Sequence, residues 1–125
     1  MTVKRIVPNI TATRVVDAVS FYRDVLGLAV VMDQGWIVTF ASNGVAAPQI
    51  SVATEGGSGT AVPDFSIEVD NFEEVMKHVL SAGLPIEYGS VDEPWGVRRL
   101  YVRDPFGRLV NILTHLEGSA PSELH

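Results

Sequence analysis

Twice along this chain one order of segments recurs: a β-rich stretch, an amphipathic helical stretch closed by Gly-Leu, and three short β-rich runs. A fold built from this sequence must therefore place two βαβββ units. In the first, Val3 to Thr13 is rich in β-branched residues and reads as a strand interrupted near Pro8, since proline withholds a ladder donor. Val15, Val16, Val19, Tyr22, Val25 and Leu26 then recur at helical spacing before Gly27, which predicts an amphipathic helix of about three turns. Leu28 to Met32, Trp36 to Ala41 and Gln49 to Ala53 follow as strands, parted by Asp33-Gln34-Gly35 and Ser42-Asn43-Gly44.

The second unit repeats the order. Asp64 to Val69 reads as a strand, and Phe72 to Ala82 as a helix whose stripe is Phe72, Val75, Met76, Val79 and Leu80, stopped by Gly83. Ile86 to Val91, Val97 to Arg103 and Leu109 to Thr114 complete three strands, the last two joined by the turn Asp104-Pro105-Phe106-Gly107. Between the units, Glu55-Gly56-Gly57-Ser58-Gly59-Thr60 has the composition of a flexible linker. The expectation is one α+β domain over 1–115, with module one at about 4–54, a linker at 55–62, module two at 63–115, and 116–125 as a flexible tail.

Composition narrows the function classes. A chain of 125 residues, 46% hydrophobic, can bury a core without staples. It has no cysteine, which removes disulfides and thiolate chemistry and fits a reducing compartment such as the cytoplasm, the localisation expected here, as well as a cysteine-free secreted protein. No segment approaches the roughly 20 apolar residues that span a bilayer, so no membrane partner is expected. A net charge of −6 argues against nucleic acid. The local basic group Arg98, Arg99, Arg103 and Arg108 reads either as an anion grip or as a solvated strand face pairing with Asp104, Glu93 or Asp92. Glu73 and Glu74 suit the first turn of a helix through its dipole, and no nucleophile–base pair or phosphate loop is present.

Two segments have local physical readings and also a family resemblance. In Phe21-Tyr22-Arg23-Asp24-Val25-Leu26-Gly27-Leu28 the aromatic pair adds apolar area to the helix stripe, and the glycine lets the chain turn straight into a strand. In Asp104-Pro105-Phe106-Gly107-Arg108-Leu109-Val110-Asn111 the first four residues make a tight hairpin turn. Together, in this order, they resemble the first-helix and last-hairpin motifs of the vicinal oxygen chelate superfamily of glyoxalases, bleomycin-resistance proteins and extradiol dioxygenases. The resemblance covers about residues 4 to 115. It implies that each βαβββ unit makes a curled half-sheet, that the two form a cleft, and that facing strand positions offer metal ligands.

Those positions, carried over residue by residue, fall on Val7 (or Asn9 if the register slips), Gln49 or Ser51, Asp64, and Asn111 where the family commonly has Glu. One carboxylate and no imidazole make a poor divalent site, so no cofactor is expected. His78 lies in the second helix facing solvent, His115 past the last strand, and His125 at the terminus, so none repairs the set. The bleomycin-resistance branch needs no metal, and Pro8-Asn9-Ile10, Gly35-Trp36 and Trp95-Gly96 look similar to it. That likeness implies a homodimer sequestering a small organic molecule between aromatic surfaces. Strand alternation puts Arg99, Tyr101 and Arg103 on one face and Arg98, Leu100 and Val102 on the other. If the helices cover the Leu100 face, then Trp36, Asp64, Trp95, Arg99, Tyr101 and Asn111 are the candidate ligand-binding residues. The reading is a metal-free cleft for a planar or anionic compound. Its rivals are a metal-dependent lyase, isomerase or dioxygenase with an unusual ligand set, and a fold that serves only assembly.

Overall fold

The computed structural model describes residues 2–44 and 48–117. The chain divides into two compact units, Val7–Val62 and Met1–Ile6 with Pro63–His125. The architecture is α+β, and each unit packs one helical stretch on one face of a four-stranded sheet. No helix among the described residues is long and apolar enough to cross a membrane.

In the Val7–Val62 unit, β2 (Ala29–Asp33), β3 (Ile37–Ala41), β4 (Gln49–Ala53) and the later residues of β1 (Val3–Thr11) lie in the order β2-β3-β4-β1. β3 is antiparallel to both neighbours, and β4 is parallel to β1 through Asn9↔Ser51 and Thr11↔Ala53. Alternation sends Val38, Phe40 and Val52 to one face, where Val15, Ala18, Val19, Tyr22 and Leu28 cover them. Thr39 and Ser51, both fully buried, turn to the opposite face with Met32, Ile37 and Ala53.

Two expectations are corrected in this unit. Pro8 does not interrupt β1, because its missing N–H falls ahead of Asn9, the first residue paired with β4. The first helix is not a regular three-turn helix: α1 (Val16–Val19) widens into a π-helical turn over Ser20–Val25, with Leu26 N–H donating to Phe21 O at 3.1 Å. One extra residue in a turn rotates all that follow by about 100°, which takes Val25 and Leu26 off the buried stripe. Val25 and Leu26 are consequently 69% and 56% exposed, and Val16 and Phe21, on the preceding turns, are exposed as well.

The glycine-rich stretch near the end of the Val7–Val62 unit is a closed loop. Gly56 N–H donates to Thr60 O at 2.8 Å, Thr60 N–H to Gly57 O at 3.0 Å, and Gly59 N–H to Glu55 Oε1 at 3.0 Å. Gly57, Ser58 and Gly59 all have positive φ, which is the demand the glycines answer. Its composition matched a linker because flexible chains and left-handed turns draw on one residue type.

In the other unit the order is β5 (Phe65–Val69), β8 (Leu109–His115), β7 (Val97–Arg103) and β6 (Tyr88–Asp92). β5 and β8 run parallel, and the other pairs are antiparallel. The sixth strand starts later than expected because Ile86 packs into the core beneath the helix, and a bulge between Gly89 and Val91 shifts its register before it runs on to Asp92. Helix α2 (Phe72–Ser81) starts at Asn71, whose Oδ1 accepts from Glu74 N–H at 3.1 Å. It buries Phe72, Val75 and Val79 against Val69, Leu100 and Val102, so the Leu100 face is the helix-covered one. Of the expected tail, Leu116 N–H donates to Gly96 O at 2.8 Å. The rest of it from residue 118, His125 included, lies outside the described residues.

Candidate functional site

With α2 on one face of the β5-β8-β7-β6 sheet, register dictates what stands on the other. Ser66, Asn111, Tyr101 and Tyr88 lie in one row across the four strands, and Glu68, Leu113, Arg99 and Val91 in the next. Polar and aromatic side chains on a buried sheet face must satisfy one another or a ligand.

Arg99 is the centre of this face. Its side chain is 0% exposed, and its Nε and Nη2 both stand 2.7 Å from Glu93 Oε2, while Nη1 donates to the Tyr101 hydroxyl at 3.0 Å. Tyr88 donates its hydroxyl to the same carboxylate oxygen at 2.9 Å. The guanidinium carbon lies 5.0 Å from the ring centroid of Tyr101, 5.1 Å from Trp95 and 5.2 Å from Tyr88. Three rings and one carboxylate thus enclose one cation, with both electrostatic and cation–π attraction in a dry surround. Sequence alternation put Arg99 and Tyr101 on the correct face. Arg99 is nonetheless a buried internal partner and not an exposed anion grip. The other strand arginines are also paired, Arg98 with Asp92 at 2.7 Å and Arg103 with Glu87 at 2.7 Å, in exposed pairs worth little to stability. Arg108 is exposed on the hairpin turn.

Asn111 occupies the middle of β8 with 0% exposure. Its Nδ2 donates to Ser66 Oγ at 3.1 Å, whereas Oδ1 is buried with no hydrogen-bond partner among the described residues. Asp64, expected as the acidic ligand position, instead clamps backbone: its Oδ2 accepts from Leu109 N–H at 2.8 Å, and its own N–H donates to Leu109 O at 2.8 Å. The residue that stands beside Asn111 is Ser66, one strand period on.

In the Val7–Val62 unit, Val7 is buried and Asn9 pairs with Ser51, whose Oγ lies 2.7 Å from Thr39 Oγ1. This settles which of Gln49 and Ser51 sits beside Asn9. Gln49 Oε1 is another buried acceptor with no partner among the described residues. Trp36 does not stand alone at an edge, because it packs on Met32, Ile37 and Ala53 beside Val62.

These positions do not fit a divalent metal. Asn9 with Ser51 in one sheet, and Ser66 with Asn111 in the other, are amides and hydroxyls without charge or imidazole. No group of three His, Asp or Glu residues among the described residues is placed to hold an ion.

Sequence reasoning missed Glu68 and misplaced His115. His115 is the last residue of β8 and not beyond it, on the face it shares with Asn111 and Leu113. Its Nδ1 lies 2.8 Å from Glu68 Oε2, and Glu68 Oε1 accepts from Arg5 Nε at 3.0 Å. The signal was available, since alternation from Leu109 reaches 115 in phase. Burial opposes ionisation of Glu68, but the His115 hydrogen bond and the Arg5 charge and hydrogen bond outweigh it and hold the carboxyl below its usual 4.5. A lowered native pKa contributes stability that is present above the unfolded value and lost as pH falls through the native one. The stability gap between the native chain and Glu68→Gln is therefore expected to be full near neutrality and to close below about pH 4.5. Urea midpoints measured across the acid range check this, and a gap that stays constant with pH refutes it.

The sequence model of the Glyoxalase/Bleomycin resistance protein/Dioxygenase superfamily matches residues 4–112. No curated protein matches the sequence. Among solved structures, a glyoxalase/bleomycin resistance protein/dioxygenase superfamily member from Vibrio splendidus 12B01 is similar with a TM-score of 0.63 and 19% identity, covering 92% of this chain and 100% of its own. A methylmalonyl-CoA epimerase from Mycobacterium tuberculosis has a TM-score of 0.60 and 15% identity, covering 95% and 88%. A structure described as an NAD-dependent benzaldehyde dehydrogenase from Legionella pneumophila has a TM-score of 0.72 and 12% identity, covering 89% and 99%. At such identities these likenesses speak for the fold alone.

Proposed function

Because this chain belongs to the glyoxalase/bleomycin resistance protein/dioxygenase superfamily, we propose that it uses the helix-free sheet face to bind a small uncharged organic molecule without a metal. The observation that carries the reading is Asn111: a fully buried amide that spends its Nδ2 on Ser66 and keeps Oδ1 without a partner among the described residues. A buried acceptor left unmet costs about 1–3 kcal/mol, and a ligand N–H or O–H placed against it recovers that loss. Tyr88, Tyr101 and Trp95 add ring surface in the same sheet unit, which favours a flat compound. The ligand is uncharged because the cation at the centre of this face, Arg99, is already neutralised by Glu93.

The proposal includes a homodimer in the cytoplasm. Four apolar side chains of the first helix, Val16, Phe21, Val25 and Leu26, stand exposed and suit a second copy. The absence of cysteine suits a reducing compartment.

The test has two arms. Trp fluorescence titrated with neutral aromatic amides and phenols is expected to saturate, and Asn111→Leu is expected to weaken binding by at least about tenfold, the worth of one buried hydrogen bond. Calorimetric titration with Mn2+, Ni2+ and Zn2+ is expected to show no tight site. One tight metal site abolished by Asn111→Leu overturns the reading in favour of a metal-dependent enzyme.

A further inference from the structure

His115 carries a group that the binding reading leaves unused. Its side chain is 12% exposed, its Nδ1 is 2.8 Å from Glu68 Oε2, and its Nε2 is buried with no hydrogen-bond partner among the described residues. An ionised carboxylate only accepts, so the proton of a neutral ring sits on Nδ1 and Nε2 presents a lone pair. Stapling β8 to β5 needs Nδ1 alone, and a buried acceptor without a donor is rare in native chains. The second ring nitrogen therefore points to a donor that arrives from outside.

The charged groups around it come from several elements. Lys4 and Arg5 of β1 both reach Glu68, at 3.6 Å from Lys4 Nζ and 3.0 Å from Arg5 Nε. On β7 the residue opposite is the apolar Val97, and the neutralised Arg99–Glu93 pair follows one strand period further along. Among the described residues, Glu68 is thus the carboxylate bonded to the ring, and it can offset an imidazolium.

We propose that Glu68 and His115 form a carboxylate-oriented imidazole whose Nε2 takes the hydrogen of a weakly acidic hydroxyl, a phenol or an enol, on the bound molecule. The ligand O–H bond breaks with its electron pair left on oxygen. The proton goes to Nε2, and Nδ1–H stays on Glu68, so no oxidant or further reactant is required. His115 is the residue that touches the ligand, and Glu68 is a positioning residue acting through it. This rests on the reading of the helix-free face as a ligand surface.

The probe is 4-nitrophenol, which absorbs in the visible only as its phenolate. At fixed pH the dye bound to the native chain is expected to show a larger phenolate fraction than free dye. His115→Gln is expected to bind with the free dye's ionisation, and Glu68→Gln to show a reduced shift. Nitrogen-15 NMR of the native chain with the imidazole in its neutral form, which needs no variant, is expected to find the proton on Nδ1 and Nε2 unprotonated. A protonated Nε2 in the neutral ring overturns the dyad outright. Equal spectra in the native chain and His115→Gln overturn it while leaving the binding reading intact, and no binding of the dye by the folded native chain overturns both.

Discussion

Glu93→Ala is expected to lower the unfolding free energy by about 3–5 kcal/mol, as removing one partner of a buried ion pair does elsewhere. The reason is the state of the survivor. Arg99 is 0% exposed and its guanidinium is held by Glu93 from two nitrogens at 2.7 Å, with the Tyr101 hydroxyl as a further polar partner. Without the carboxylate a full charge stays buried among three rings whose attraction is worth only about 1–2 kcal/mol. The Tyr88 hydroxyl loses its acceptor as well. Removing both charges together is a different matter: the double variant Glu93→Leu with Arg99→Met is expected to lose less than Glu93→Ala alone, because no charge is stranded. Denaturant unfolding of the native chain and the two variants checks the order. A double variant as unstable as the single one would show that the pair itself, and not the stranded cation, carries the effect.

Gly89→Ala is expected to cost at least about 3 kcal/mol, through steric conflict and not through any lost contact. A Cβ at this position would lie 2.4 Å from Arg99 O, 3.1 Å from Leu100 Cα and 3.2 Å from Val91 N. All three are backbone, so relief requires the β6–β7 pairing to open. The residue also holds φ at +85°, which glycine adopts without penalty and alanine does not. The opening would fall on the carbonyl of Arg99, so loss of near-ultraviolet dichroism from Tyr88, Tyr101 and Trp95 should accompany the loss of stability. A variant that unfolds at the native midpoint with an unchanged aromatic signal contradicts this account.

Local pattern revealed the order of elements because each depends on neighbours close in the chain. The stripe of Phe72, Val75 and Val79 and the alternation through Leu100 and Val102 identify the buried faces without any knowledge of tertiary structure. The first helix departs from its pattern at one inserted residue, which periodicity cannot register because Val25 and Leu26 look equally apolar on either phase. Asn111 was legible through its place after the Asp104-Pro105-Phe106-Gly107 turn, yet its partner was not. Asp64 and Ser66 are both plausible on β5, and only the pairing Ser66↔Asn111 decides. The Arg99 enclosure was the least visible feature. Nothing in a string of residues says that Tyr88, Trp95 and Tyr101 converge on one guanidinium, since the convergence arises from the β6–β7 turn.

That enclosure also says what the protein turns away. A socket walled by aromatic rings is the usual receptor for quaternary ammonium compounds, but here the seat is taken by a tethered tenant. An incoming ammonium compound would have to evict a side chain anchored in the same strand as one of the rings, and would find the counter-carboxylate already engaged. Choline-like and methylated-amine compounds are thereby expected to find no seat at a place whose walls would otherwise welcome them.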